Sequence, residues 1–178
     1  MVFGILLNNL NLKSIVSNKL ANKEIKEICL LKDKQWKFGL NSQIKWFKSN
    51  IKKYDLHNLL YIGSKLIGYT CLRKRTYKID NINKKTYYFL FDALTIDPKY
   101  RGKKLSNLFM SFNNLVIIQS GLFSILTCDN RLISFYKKNN WTKLNKKYID
   151  FLDYPFRSNG MTFNKKLKNK KISFFINK

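Results

Sequence analysis

The chain has 178 residues, of which 45% are apolar and 15% aromatic, and carries a formal net charge of +25. That length suits one domain with a real core, and the composition is too hydrophobic for a disordered chain. Three cysteines, Cys29, Cys71 and Cys128, stand at no ligand spacing, so they form neither a disulfide framework nor a zinc motif and point to a reducing compartment.

The charge raises an anionic partner such as nucleic acid. However, 30 of the 35 basic residues are Lys, spread along the whole chain, and Asn and Ile are abundant too. An AT-rich coding sequence writes that bias whatever the function, and no RNA-recognition signature accompanies it. The apolar run Val2–Leu7 is interrupted by Gly4, followed by Asn8 and Asn9, and preceded by no basic segment. It is too short for a signal peptide, and no later stretch approaches the length of a membrane span. A soluble cytoplasmic protein is expected.

The spacing of Ile25, Ile28, Cys29 and Leu31 predicts a helix over 23–31. A second helix is expected over 42–51, capped by Asn41 or Ser42, with Ile44, Phe47 and Ile51 inward. Leu59-Leu60-Tyr61-Ile62, a turn at Gly63-Ser64-Lys65, and Leu66 through Leu72 read as a β-hairpin. A polar excursion follows over 80–85, then a strand over 87–96 that Pro98 stops. Leu105, Leu108, Phe109, Phe112, Leu115 and Val116 mark a long amphipathic helix that ends at Gly121. A buried strand over 122–128, a helix over 131–139 with Leu132, Phe135 and Tyr136 on one side, and a strand opened by Trp141 come next. The tail, 165–178, is either a last strand with a basic edge or a frayed end. The strand–helix–strand unit in the middle implies a locally parallel pair with a helix across it.

One segment carries chemistry: Leu94-Thr95-Ile96-Asp97-Pro98-Lys99-Tyr100-Arg101-Gly102-Lys103-Lys104-Leu105-Ser106. A strand ends, a tight basic loop follows, and a helix begins. A helix N-terminus presents unpaired N–H groups and a positive dipole end, Gly102 admits close approach, and Arg101, Lys103 and Lys104 add charge. The loop is either a pyrophosphate cradle or an ordinary basic turn.

The segment resembles the acyl-CoA-binding motif of the GNAT superfamily of N-acyltransferases: a strand, a Val-x-Pro-like end, Tyr-Arg-Gly, and a loop written Arg/Gln-x-x-Gly-x-Gly/Ala. Here Ile96-Asp97-Pro98 takes the first role, Arg101 begins the loop, and Lys104 and Ser106 stand where the motif has its last two small residues. Downstream, 129–141 is similar to the family's Asn-x-x-Ala-x-x-Phe-Tyr-x-x-x-Gly-Phe, with Phe135, Tyr136 and Trp141 in place and Asn140 for Gly. Asn tolerates the left-handed helix end that position requires. The likeness covers about residues 58–145.

The resemblance implies a single α/β (α+β) domain over 1–178: a mixed, mostly antiparallel twisted sheet flanked by helices, with a parallel strand pair splayed at the acyl-CoA site. It implies acetyl transfer from acetyl-CoA, as co-substrate and without metal, directly to a primary amine. Backbone groups of Leu94, Thr95 and Ile96 would hold the pantetheine arm and polarise the thioester. The loop Arg101, Gly102, Lys103, Lys104, Leu105, Ser106 would hold the pyrophosphate. Tyr136 matches the acid that protonates the leaving thiolate; by spacing alone it is a core aromatic. Asp92, an acid within Phe89-Leu90-Phe91-Ala93-Leu94, is a base, a structural acid paired with Lys or Arg, or a bystander while water carries the proton. Asp129 and Asn130 would bond the pantetheine or cap a helix. His57 reads as structural.

The acceptor pocket of such proteins is built by the first two helices, which here carry Trp36, Phe38, Trp46 and Phe47. Trp36 and Trp46 are candidate acceptor-binding residues. This region is similar to small acyltransferases that modify amino-sugars in surface-polysaccharide pathways. The rival classes are a nucleic-acid-binding module, a GNAT-fold binding protein without catalysis, and a protein-modifying acetyltransferase. Edge strands leave a homodimer open.

Overall fold

The computed structural model describes residues 2–7, 9–79, 82–153, 159–165 and 171–177. By its internal contacts the chain groups into two compact units, residues 1–73 with 92–113 and residues 74–91 with 114–178.

In the first unit β1 (Val2–Leu7) and β2 (Leu10–Val16) form an antiparallel hairpin, Val2 opposite Ile15. The sequence reading has no strand there. Its signal is the Asn8-Asn9 pair between apolar runs, and Asn9 takes the left-handed φ of 67° that a tight hairpin turn needs. Two helices follow, α1 (Asn22–Trp36) and α2 (Leu40–Asn50). Neither Asn41 nor Ser42 caps α2; both lie inside it, and the cap is Gly39 at φ 82°. The reason is the short connection: α1 ends on Lys37 in the left-handed region, and Gly39 N donates to Asp33 Oδ1 at 2.6 Å. β3 (Leu56–Ile62) pairs antiparallel with β2 and with the start of β4 (Lys65–Ile79), Leu59 opposite Tyr69, as the hairpin reading expects. Ile28, Cys29, Phe47, Leu59 and Tyr69 form the core beneath α1 and α2.

β4 runs to Ile79 and β5 spans Ile82–Ile96, so most of the expected polar excursion is strand; residues 80 and 81 lie outside the described ones. The alternation is present but written in cations: Arg75 is 1% exposed while Lys74 and Lys78 face out. α3 (Leu105–Gln119) begins in this unit, where Asn58 Nδ2 donates to Asn113 Oδ1 at 2.7 Å. Gly68 on β4 marks a close approach: a Cβ there would lie 2.9 Å from Ile96 Cδ1 and 3.0 Å from Leu60 Cβ. Gly68→Ala is expected to cost about 1–3 kcal/mol, read as a thermal midpoint several degrees lower; an unchanged midpoint would contradict the packing.

His57 is fully buried between Phe47 and Tyr69, with Nδ1 2.9 Å from Tyr69 Oη and Nε2 2.8 Å from Ser17 Oγ. Burial, helped by the charge of Lys32, pushes its pKa down to about 3. The unfolded state therefore binds the extra proton. Stability is full above about pH 6.5 and falls as pH drops toward 3, by roughly 2–3 kcal/mol at pH 4.5. His57 is the one histidine of the chain, so its ring proton resonances report it directly. They should stay at neutral-imidazole positions down to pH 5; a midpoint near 6.5 would contradict the burial.

In the second unit β5 pairs parallel with β6 (Ser124–Cys128), Phe89 opposite Ser124 and Leu90 opposite Ile125. α4 (Ile133–Lys138) is preceded by a 3-10 turn and followed by β7 (Thr142–Lys143). Of the three residues expected to face inward from α4, only Tyr136 is buried; Leu132 is 39% exposed and Phe135 half-buried. The 3-10 turn takes up Leu132, which shortens the helix and breaks the stripe. β8 (Ile149–Phe151), β9 (Asn159–Phe163) and β10 (Ile172–Phe174) complete the unit. β9 runs antiparallel to β6. Of the tail, residues 166–170 and 178 lie outside the described ones, and Ile172–Phe174 is a strand: β10 pairs antiparallel with β4 and parallel with β8, placing Phe174 among Tyr77, Tyr88, Phe123 and Phe151. No helix among the described residues is long and apolar enough to cross a membrane.

Candidate active site

β5 ends against β4, where Asp97 N donates to Ile67 O at 2.7 Å. The Asp97 side chain, 1% exposed, accepts from Lys99 N at 3.0 Å and from Lys34 Nζ at 2.7 Å. Burial works to raise its pKa, but these two bonds hold it below the usual carboxylate range. Asp97 thus fixes the turn Pro98–Tyr100 that aims the loop. Arg101 folds back: Nε donates to Ile96 O at 3.1 Å and Nη2 to Gln35 Oε1. Gly102 and Lys104 are both left-handed, at φ 79° and 57°. At Lys104 the backbone takes the left-handed conformation at the position where the resembled motif has Gly, at a cost of about 1–2 kcal/mol for a residue with a Cβ. No N–H of residues 102–106 donates to a described acceptor, while Lys104 O receives Asn107 N and Leu108 N. Alternating left-handed residues before a helix produce the concave run of donors that binds anions. Lys103 and Lys104 are exposed beside it.

Upstream on the same strand, Ala93 has φ 60°, an outlier for a non-glycine residue in a strand. Sequence reasoning missed it, because alanine carries no signal for that conformation. Leu94 is half-buried, Thr95 and Ile96 are buried, and Thr95 Oγ1 has no hydrogen-bond partner among the described residues.

Trp36, Trp46 and Asp92 come together around one cavity of about 410 Å³, between the end of α1, the start of α2 and Ala93. Asp92 Oδ2 accepts from Arg73 Nη1 at 3.1 Å, the ion-paired arrangement among the alternatives for this acid. Lys32 and Gln43 line the same cavity and were not anticipated. Their signal was available: Lys32 falls four residues after Ile28, and Gln43 four before Phe47, each on its helix's apolar stripe.

In the second unit Tyr136 is 6% exposed, its ring in contact with Phe91, Phe135 and Trp141. Its hydroxyl has no hydrogen-bond partner among the described residues. Burial, with a smaller contribution from Cys128, pushes its pKa up. Asn140 has the expected left-handed φ, 67°. Asn114 steadies this corner: Oδ1 accepts from Trp141 Nε1 at 3.0 Å and Nδ2 donates to Asn139 O at 2.9 Å. Asn130 is exposed, with Oδ1 accepting from Asn159 Nδ2 at 2.8 Å; the Asp129 side chain caps nothing and pairs with Arg131 at 3.5 Å.

In fold the chain is similar to Escherichia coli ElaA, at TM-score 0.63 and 13% identity over 87% of this chain and 99% of that one. It is equally similar to an acyl-CoA N-acyltransferase from Pseudomonas aeruginosa, at 0.63 and 13% over 86% and 99%. An aminoglycoside 6'-N-acetyltransferase complexed with coenzyme A matches at 0.60 and 8% over 84% and 94%. No protein-family model and no curated protein matches the chain. The fold is the GNAT fold: a mixed, mostly antiparallel sheet with helices, its strands parallel at β5–β6 and at β8–β10.

Proposed function

We propose, with that fold as premise, that the chain is an acyl-CoA-dependent N-acyltransferase that moves an acetyl group from acetyl-CoA to a primary amine of a small molecule, amino-sugars being the first class to try. One observation carries the reading: the run of N–H groups at 102–106 that no described acceptor claims, with left-handed residues at 102 and 104 and exposed lysines at 103 and 104.

In this account the loop residues Gly102, Lys103, Lys104, Leu105 and Ser106 take the pyrophosphate through backbone donors. Arg101 acts mainly by fixing the loop to Ile96 O. The strand segment Leu94, Thr95, Ile96, turned by Ala93, offers backbone groups to the pantetheine arm and the thioester carbonyl. The amine enters the cavity between Trp36 and Trp46. Its nitrogen attacks the carbonyl carbon, the tetrahedral oxyanion collapses, and the C–S bond breaks. Asp92, steadied by Arg73, orients the amine by accepting an N–H, and the proton leaves to water. Tyr136 gives its proton to the departing thiolate. Asn130 offers its amide to the pantetheine.

The test is release of free coenzyme A thiol from acetyl-CoA on addition of amines, with the acetylated amine identified by mass. Turnover with any amine above the hydrolysis background supports the reading. Absence of turnover across amino-sugars, amino acids and polyamines would overturn it.

A further inference from the structure

The cavity flanked by Trp36 and Trp46 is lined by two buried side chains that carry donors, Lys32 and Gln43, and neither side chain makes a hydrogen bond to a described residue. Lys32 is 4% exposed and Gln43 is 3% exposed. Lys32 Nζ rests 3.5 Å from the centre of the Trp46 ring, and no carboxylate lies within ion-pair distance of it among the described residues. Gln43 Nε2 has no hydrogen-bond partner among the described residues. The neighbouring carboxylate, Asp92, is committed to Arg73, whose Nη2 also reaches Asn50 O at 3.4 Å.

A buried ammonium without an anion is costly, and so is a buried amide N–H₂ without an acceptor. Two such donors on one cavity wall describe a site lacking its acceptor. Burial lowers the pKa of Lys32, against the opposing pull of Asp92. An anion beside it would reverse that effect.

We propose that the acceptor amine also bears a carboxylate, received by Lys32 and Gln43 while its apolar part lies against Trp36 and Trp46. This specifies the acceptor class within the acyltransferase reading and rests on it. Two donors suit the two oxygens of a carboxylate; a phosphate ester would leave oxygens without partners on this wall.

The test is calorimetric binding of three matched compounds: L-phenylalanine, 3-phenylpropionate and 2-phenylethylamine. The two carboxylates should bind at least about 30-fold more tightly than the amine that lacks one, a difference of roughly 2 kcal/mol. Lys32→Met, which keeps the packed stem, should weaken both carboxylates by a similar factor and leave the Kd for acetyl-CoA unchanged. Equal binding of 2-phenylethylamine, no binding of either carboxylate, or carboxylate binding indifferent to Lys32→Met would each overturn the proposal. Acetyl-CoA titrated separately keeps the two readings apart. Its failure to bind counts against acyl transfer and leaves the carboxylate result standing.

Discussion

Replacing Tyr136 with Phe lowers kcat about 100-fold and leaves the Kd for acetyl-CoA within about twofold. The substitution removes one hydroxyl that makes no hydrogen bond to a described residue, and leaves the ring among Phe91, Phe135 and Trp141. Folding should therefore be nearly unaffected. The raised pKa keeps the phenol protonated across the working pH range. A thiolate expelled into equally apolar surroundings is itself made more basic by burial, as the raised pKa of Cys128 in the same unit illustrates. Donor and acceptor thus stay matched. The alkaline side of the kcat profile should show no descent from this group below about pH 10. A Tyr136→Phe enzyme with unchanged kcat would return Tyr136 to the role of a core aromatic.

The second large effect belongs to the loop. Reversing both exposed charges with Lys103→Glu and Lys104→Glu should weaken acetyl-CoA by about 100-fold at low salt, and the difference should shrink as ionic strength rises. Arg101→Lys should act differently. It removes the planar fork that reaches both Ile96 O and Gln35, so its loss of affinity should depend little on salt. Equal affinity of the charge-reversed and native loops would mean that the anion sits elsewhere.

The strand–loop–helix over 94–106 was readable because each part has its own local cause. Pro98 ends the strand, a glycine among clustered cations marks a loop, and the apolar spacing restarts at Leu105. Asn140 was readable through the resembled motif, which has Gly at that position, since few residues other than Gly and Asn accept φ 67°. Other parts depend on contacts between distant positions. The first strand of the first hairpin, Val2–Leu7, has no alternation of polar and apolar residues to read. Arg75 is inside because its Nε reaches Ile176 O, 101 residues away. The left-handed φ of Ala93 has no residue-type signal. Trp36, Trp46 and Asp92 were each legible as unusual, but their meeting around one cavity, and the burial of Lys32 and Gln43 on its wall, are facts of packing.

The central claim is that the loop 101–106 binds an acyl-CoA. Titrating the native chain with acetyl-CoA in a calorimeter tests it most directly. The account predicts one-to-one binding in the micromolar range, weakened by Lys103→Glu with Lys104→Glu. No heat from acetyl-CoA or from longer acyl-CoAs would contradict it, and would mean that the fold is kept without its transferase chemistry.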